Sequence, residues 1–156
     1  MIDIHCHILP AFDDGPRALG ESLAMAEIAS ISGVDTIIAT PHVGIDGNEQ
    51  AAHRIPESVE ALQAAIDDRG LAIRVLPGAE VFPSSAVTRW LDDGCPITLG
   101  KNGKYILLDC PLLNVPTGLD QLVFELQARG ITPILAHPER VLPIQRRPQL
   151  LESLVS

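Results

Sequence analysis

The strongest constraint on the fold is an alternation of short apolar runs with stretches of helical periodicity. The apolar runs predict five strands, at residues 1–6, 34–40, 71–77, 105–108 and 131–136. Strands that alternate with helical patterns are typical of successive β/α units around a parallel sheet. The sequence therefore predicts an α/β fold of about five β/α units.

Helical periodicity fills much of the sequence between these strands. Gly33, Gly70 and Gly130 follow three of the predicted helices, at the position where a glycine commonly ends a helix. Residues 43–56 lack periodicity and predict a loop over the mouth of a site. The predicted helices cover residues 21–32, 57–69, 86–92 and 117–129, and a further one begins at Pro148.

The composition indicates one globular domain over residues 1–156. With 156 residues and 46% hydrophobic residues, the chain is long enough for one sizeable core, and it contains no repeat or linker. No apolar stretch approaches the roughly 18 to 20 residues of a spanning helix, and no basic leader precedes an apolar segment. We therefore expect a cytoplasmic protein without membrane insertion.

Charge and cysteine content exclude several other classes of protein. A net charge of −9 disfavours nucleic-acid partners, which favour a basic surface. The three cysteines, Cys6, Cys95 and Cys110, are odd in number and form no C-x-x-C pair, so we expect reduced thiols and no disulfide framework. None of them is followed six residues later by an arginine, which disfavours a cysteine-based phosphatase.

The first predicted strand ends in a His-x-His pair, His5 and His7. Residues i and i+2 of a strand point to the same face, so the two imidazoles would lie side by side. Alone, such a pair could equally be exposed or hydrogen-bonded within the core. Here the pattern continues along the chain: the other strand ends are followed by potential ligands, namely His42, Glu80, Asp109 and His137, and Asp13-Asp14-Gly15 follows the first strand.

Ligand-type residues at several strand ends predict a metal-centred hydrolase, because functional groups of β/α folds lie where strands meet loops at the carboxyl edge. Imidazoles with several carboxylates suit Mn, Fe or Zn and favour the harder Mn. Clustered metals would activate water and neutralise phosphoryl oxygens. Arg140, three residues after His137, is either an exposed surface arginine or a bidentate donor to a phosphate.

These motifs together resemble the PHP-domain (polymerase and histidinol phosphatase) hydrolases. Within them, the chain is most similar to the bacterial manganese-dependent protein-tyrosine phosphatases of capsular and exopolysaccharide loci. The resemblance runs from residue 1 to about residue 150. It rests on segments 3–10 (DIHCHILP), 13–15 (DDG), 39–42 (ATPH), 78–80 (GAE), 105–109 (YILLD) and 136–140 (AHPER).

The resemblance implies a distorted β/α barrel of PHP type with up to three divalent metals at its mouth. Mn²⁺ is the expected ion, with Fe, Co or Zn as alternatives. By similarity, the first metal would be held by His5 and His7 with Glu80 bridging. Asp14 and His42 would hold the second metal, Glu80, Asp109 and His137 would hold the third, and Arg140 would contact the phosphate as the catalytic residue.

Two departures from the family pattern affect these expectations. Asp109 stands where the family usually has Glu, so its carboxylate is one methylene shorter. The family also supplies a late Asp-x-His pair to the first two metals, and this sequence contains no such pair. We therefore expect a barrel truncated at its C-terminus, with homo-oligomerisation as one way to cover the exposed edges.

The resemblance implies hydrolysis of phosphotyrosine, with an autophosphorylating bacterial tyrosine kinase of capsule or exopolysaccharide synthesis as the substrate and partner. Two alternatives stay open from the sequence. One is another PHP phosphoesterase, such as a histidinol phosphatase, which would use the same metals on a small molecule. The other is an inactive metal-binding or regulatory protein.

Overall fold

The computed structural model describes residues 1–44 and 48–155. Within them the chain forms seven parallel strands and six α-helices, with three short 3₁₀ helices between them. The strands are β1 (Ile2–Cys6), β2 (Thr36–Ala39), β3 (His42–Val43), β4 (Arg74–Pro77), β5 (Glu80–Val81), β6 (Tyr105–Leu108) and β7 (Thr132–Leu135). The helices are α1 (Leu19–Ile31), α2 (Ile55–Asp68), α3 (Val87–Asp92), α4 (Leu119–Ala128), α5 (Leu142–Arg146) and α6 (Gln149–Val155).

The strands form two parallel sheets, in the orders β1-β2-β4 and β3-β5-β6-β7. The chain passes from the first sheet to the second twice, because β2 is followed by β3 after two residues and β4 by β5 after two residues. The α/β prediction is confirmed. The two short strands β3 and β5 were not predicted: His42 and Glu80 lie inside a second sheet, where they are register partners, and do not merely follow β2 and β4.

Both passages between the sheets have a local cause. Pro41 lies between β2 and β3, and a proline has no N–H to continue a strand ladder. Gly78 lies between β4 and β5, where a Cβ would lie 2.7 Å from Ile38 Cγ2 and 3.1 Å from Leu99 Cδ2. A side chain at position 78 would therefore push the inner side of the first sheet apart.

Helices pack against the sheets, so middle strands such as β2 and β6 are largely buried and apolar, whereas β1 leaves Ile2 and Ile4 exposed. On the outer side, the apolar face of α2 packs through Val59, Leu62 and Ile66 into the main core. A smaller inner cluster links the two sheets through Ile38, Leu107 and Ala136, with Leu76 and Ile134 packed against it. This inner cluster fixes the distance between the two carboxyl edges.

Some element boundaries differ from the predictions. Helix α1 begins at Leu19 and α2 at Ile55, each two residues before the predicted start, and the five-residue helix α5 was not predicted. The predicted loop over residues 43–56 is wrong in three places: Val43 lies in β3, Glu49–Arg54 forms a 3₁₀ helix, and residues 55 and 56 belong to α2. Residues 45–47 of that prediction lie outside the described residues. No helix in the described ranges is long and apolar enough to cross a membrane.

Candidate metal centre

The carboxyl edges of both sheets meet at one cluster of imidazoles and carboxylates. Each of the seven predicted metal ligands has a nitrogen or oxygen atom within 3.8 Å of another member of the set. β1 carries His5 and is followed by His7 and, in the next loop, Asp14; β3 carries His42 and β5 carries Glu80; Asp109 and His137 follow β6 and β7. The structure therefore brings the whole predicted set together.

Glu80 lies at the centre of this cluster and is fully buried. Its Oε2 lies 3.3 Å from His5 Nε2, 3.0 Å from His7 Nε2 and 3.2 Å from His42 Nδ1. Its Oε1 lies 2.9 Å from His137 Nε2. One carboxylate thus meets four imidazoles, two from the first sheet and two from the second.

The charge state of the centre follows from this geometry. Burial alone raises the pKa of Glu80, but the neighbouring imidazoles of His5 and His7 outweigh it and hold that pKa well below its usual range. Burial also acts to lower the pKa of His7, whereas the carboxylates of Asp13 and Glu80 raise it to about 10. Without a metal, the centre is therefore held together by charge pairing between carboxylate and imidazolium.

Asp109 has the opposite perturbation. Burial first, and then the nearby negative charge of Glu80, raises the pKa of Asp109, while His42 and His137 act to lower it. Its Oδ2 lies 3.5 Å from His42 Nδ1 and its Oδ1 lies 3.7 Å from His137 Nε2. Two carboxylates this close in a buried place need cations between or beside them.

The donor set fits divalent metals. Three groups have ligand atoms that all lie within 4.8 Å of one another. In the described part of the chain, Glu80 Oε2 and His42 Nδ1 are buried without a hydrogen-bond partner, although they lie only 3.2 Å apart. Converging nitrogen and oxygen atoms without hydrogen-bond geometry are characteristic of metal ligands. The three groups are His5-His7-Glu80, His7-Asp14-His42 and His42-Glu80-Asp109.

These groups differ in part from the ligand sets implied by the resemblance. The first group is the same as the predicted one. The third contains His42, whereas the prediction has His137, which instead lies within hydrogen-bond distance of Glu80. Asp14 is 78% exposed, with its Oδ1 3.7 Å from His7 Nδ1 and 3.8 Å from His42 Nε2. The division of the seven residues among individual metals stays a prediction.

Local backbone geometry places two of these groups. His137 adopts φ +33° and ψ +50°, a left-handed conformation that non-glycine residues seldom adopt and that is concentrated at functional sites. Gly15 lies under His7, where a Cβ would be 2.5 Å from the His7 carbonyl oxygen. Only glycine lets the loop after β1 approach the end of that strand so closely.

A cavity of about 270 Å³ opens beside the cluster. Arg140, the predicted phosphate-binding residue, lines it and is exposed, so its guanidinium is available to a ligand. Hollows of about 380 and 550 Å³ elsewhere contain none of the candidate ligands, so size alone does not indicate the site. The cavity is lined by Asp14, His42, Asp109, Cys110, Pro111, Leu112, His137 and Arg140.

The environment of the cysteine beside the cavity disfavours it as a nucleophile. Burial, together with the negative charges of Asp109 and Glu80, raises the pKa of Cys110 to about 11. The thiolate is the reactive form of cysteine, and it is scarce at neutral pH when the pKa is raised in this way. The structure thus agrees with the sequence in disfavouring covalent cysteine catalysis.

Sequence reasoning did not assign a role to three residues that the structure places at the site. Asp13, next to the predicted ligand Asp14, is the residue whose carboxylate contacts the His7 ring, with Asp13 Oδ2 2.7 Å from His7 Nδ1. Pro111 and Leu112 form an apolar wall of the cavity. An acidic pair followed by glycine was visible in the sequence, but nothing in it distinguishes the two carboxylates.

Comparison with known proteins identifies the family. The model of the family "Capsular polysaccharide synthesis, CpsB/CapC" matches residues 1–156. This chain belongs to the CpsB/CapC family. The α/β architecture of two parallel sheets is accordingly that of the PHP-type CpsB/CapC fold, as the sequence predicted.

Several members of the CpsB/CapC family are closely similar. The tyrosine-protein phosphatase YwqE of Bacillus subtilis (strain 168) is 42% identical over 157 residues, which cover 99% of this chain and 61% of YwqE. The tyrosine-protein phosphatase CpsB of Streptococcus agalactiae is 27% identical over 156 residues, covering all of this chain and 64% of that protein.

A solved structure agrees with these relatives. It belongs to crystal structures of YwqE from Bacillus subtilis and CpsB from Streptococcus pneumoniae, described as unique metal-dependent tyrosine phosphatases. The TM-score is 0.94 at 38% sequence identity, over 99% of this chain and 62% of the solved chain. This CpsB/CapC chain therefore spans about three fifths of the length of the relatives that it matches.

Proposed function

We propose that this chain is a metal-dependent tyrosine-protein phosphatase of capsular polysaccharide synthesis. One observation carries the proposal: the buried carboxylate of Glu80, contacted by four imidazoles, lies beside a cavity that an exposed arginine lines. The family and the names of its relatives support the same activity.

The metal ligands would be His5, His7, Asp14, His42, Glu80, Asp109 and His137. Mn²⁺ is the proposed ion, because a mixed set of imidazoles and three carboxylates favours a harder ion than an all-histidine or thiolate site would. When bound, such metals lower the pKa of a water molecule and offset the charge of the phosphoryl oxygens. Glu80, which is ionised and shared between the two sheets, would hold neighbouring ions at a fixed separation.

Arg140 would orient the phosphate. Its guanidinium is permanently charged and matches two phosphate oxygens at once, which a lysine does not. It lies in the turn after β7, next to His137, so the phosphate would be held between the arginine and the metal cluster.

The remaining wall of the cavity favours an aromatic ester. Pro111 and Leu112 contribute apolar surface to the lining of the cavity, and Leu112 is 44% exposed, so a ring can cover it. A phenolate is also a comparatively good leaving group, so hydrolysis of phosphotyrosine needs no strong general acid.

We propose the phosphotyrosine of a tyrosine kinase of the capsule-synthesis machinery, one that phosphorylates itself, as the physiological substrate, and the cytoplasm as the location of the reaction. Support for this comes from the family and from the names of the relatives, which are phosphatases of tyrosine residues in proteins.

The test is hydrolysis of a phosphotyrosine peptide by the purified chain with added Mn²⁺. A chelator should abolish turnover, as should His42→Ala, which removes a ligand shared by two groups. The matched control is His53→Ala, because His53 is exposed and belongs to none of the three groups. It should retain full turnover.

A comparison with a second substrate, histidinol phosphate, separates the alternatives. Histidinol phosphate hydrolysed faster than the phosphotyrosine peptide would make the chain another PHP phosphoesterase. A folded chain that takes up metal but turns over neither substrate would be a metal-binding protein without this activity.

A further inference from the structure

The side chain of Asp13 contacts both the ring of one candidate ligand and the backbone of another. Its Oδ2 lies 2.7 Å from His7 Nδ1 and accepts a hydrogen bond of 3.0 Å from the backbone N–H of His42. Its Oδ1 accepts a hydrogen bond of 3.0 Å from the N–H of Gly15. The side chain is 8% exposed, so these contacts lie largely out of water.

Two candidate metal groups compete for His7. One contains His5 and Glu80, and the other contains Asp14 and His42. A neutral imidazole has a single nitrogen lone pair, so it binds one metal at a time. The nitrogen that carries the proton decides which group His7 joins.

The geometry indicates which nitrogen that is. His7 Nδ1 points to Asp13, and Nε2 lies 3.0 Å from Glu80 Oε2. A carboxylate can only accept, so in the metal-free chain both ring nitrogens face acceptors; when a metal takes the place of the proton on Nε2, Asp13 retains the proton on Nδ1, and the Nε2 lone pair serves the His5-Glu80 side. A carboxylate that holds the second ring nitrogen of a histidine ligand fixes both its tautomer and its orientation.

We propose that Asp13 is a positioning residue that assigns His7 to the metal group of His5 and Glu80 and holds His42 in register for the neighbouring group. It would do so without binding metal itself. The proposal depends on the metal centre of the proposed function but not on the identity of the substrate.

The chemistry of the three contacts explains why a carboxylate is needed. Three N–H groups, from His7, His42 and Gly15, converge on its two oxygens. An asparagine has one acceptor oxygen, so whichever way its amide turns, its NH₂ faces at least one of these donors. Asp14 cannot replace it, because Asp14 Oδ1 lies 3.7 Å from His7 Nδ1 and its side chain is 78% exposed.

The test compares Asp13→Asn and Asp13→Ala with Asp14→Ala in the full chain, loaded with Zn²⁺ or Cd²⁺ so that histidine nitrogens can be observed by NMR. Long-range ¹H–¹⁵N correlations then report which nitrogen of His7 is bound to metal. Calorimetric titration with Mn²⁺ reports affinity and stoichiometry. Asp67→Ala, which removes an exposed carboxylate on α2, is the control for charge.

In the unmodified chain we expect His7 to bind through Nε2 and to carry a proton on Nδ1. Both Asp13 variants should lose that single pattern and bind Mn²⁺ about tenfold to hundredfold more weakly, the usual effect of removing the partner of a ligand. Asp14→Ala should lose metal while His7 keeps its pattern. Asp67→Ala should change neither measurement.

The inference is overturned if the Asp13 variants retain the His7 pattern and bind Mn²⁺ within about twofold of the unmodified chain, or if His7 binds through Nδ1 to begin with. Asp13→Asn has nearly the size of the original side chain, so it provides the answer if Asp13→Ala does not fold. A chain that binds no metal overturns the inference and the proposed function together. Metal binding without phosphatase activity counts against the proposed function alone.

Discussion

The two sheets contribute to the centre in different ways. In the four-stranded sheet every strand delivers one candidate ligand: His42, Glu80, Asp109 and His137 come from or directly follow β3, β5, β6 and β7. In the three-stranded sheet only β1 delivers ligands. β2 leads instead to Thr40, whose buried hydroxyl accepts the N–H of Cys6, and β4 leads to Gly78.

The four-stranded sheet is therefore an array of ligands, and the three-stranded sheet is largely a scaffold. In the array, the pairing of β5 with β3 and β6, and of β6 with β7, sets the spacing of the ligands. In the scaffold, the pairing of β1 with β2 is irregular between Asp3 and Cys6, around the histidines. Two residues of the array touch ligands that the other sheet carries: Glu80 contacts His5 and His7, and His42 lies 3.8 Å from Asp14.

The largest effect is expected from Glu80→Gln, which removes the charge that joins the two sheets. The amide keeps the shape but presents an NH₂ group to imidazole nitrogens, so metal affinity and turnover should both fall by more than about hundredfold, beyond the usual cost of losing an outer partner. Mn²⁺ titration measures this, with the exposed Glu60→Gln as the control. Binding within tenfold of the unmodified chain would show that the sheets bind metal independently.

A smaller effect is expected from Arg140→Lys, which changes a residue that follows β7 of the array and leaves every candidate metal ligand in place. The lysine keeps the charge but loses the bidentate hydrogen bonding, and losing a hydrogen bond to a charged phosphate costs about 1.5 to 3 kcal/mol. We therefore expect kcat/KM for a phosphotyrosine peptide to fall about tenfold to hundredfold while metal uptake stays constant. Arg146→Ala, an exposed arginine on α5, should have no such effect. Weakened metal uptake in Arg140→Lys would contradict the role in phosphate binding.

Gly78→Ala tests the scaffold. The new Cβ would lie 2.7 Å from Ile38 Cγ2 and 3.1 Å from Leu99 Cδ2, so we expect unfolding free energy to fall by about 1 to 3 kcal/mol. Chemical denaturation of the metal-free chain measures this. The control is Gly20→Ala, because a Cβ at this position in α1 has nothing within 4 Å and should stabilise by about 0.4 to 1 kcal/mol. Equal stability of Gly78→Ala and Gly20→Ala would show that the close packing around position 78 does not support the scaffold sheet.

The smallest effect is expected from Leu112→Ala on the apolar wall. Since Leu112 is 44% exposed, the ring of the substrate would bury only part of its apolar surface. Removing that surface should therefore raise KM for a phosphotyrosine peptide by only about threefold to tenfold. Hydrolysis of a phosphoserine peptide should not change. Phe124→Ala, which removes an exposed ring on α4, is the control. An equal loss on both peptides would show that the wall does not recognise the aromatic ring.

Most of the candidate ligands could be predicted because strand ends in a parallel sheet converge on one edge. The His-x-His pair and the residues after β6 and β7 needed no more than that. β3 and β5 could not be predicted because two residues are too few to show a period, and Pro41 and Gly78 interrupt the runs just before them.

The role of each residue in the centre was harder to predict than which residues belong to the centre. Asp13 and Asp14 are chemically identical neighbours, and only the fold of the loop decides that the first contacts the His7 ring and the second faces solvent. Likewise, His42 and His137 both follow an apolar run in the sequence, whereas the structure places His42 in two of the three candidate groups and His137 beside Glu80.

The burial of the thiols has a consequence for the conditions in which such a hydrolase works. Burial, with the charge of Asp3 adding to it, raises the pKa of Cys6 to about 11, and Cys110 is held as a neutral thiol in the same way. Peroxide attacks thiolates, so oxidants that silence cysteine-dependent phosphatases should find no thiolate here. The proposed dephosphorylation would then continue under oxidative stress, and metal supply would become the condition that stops it.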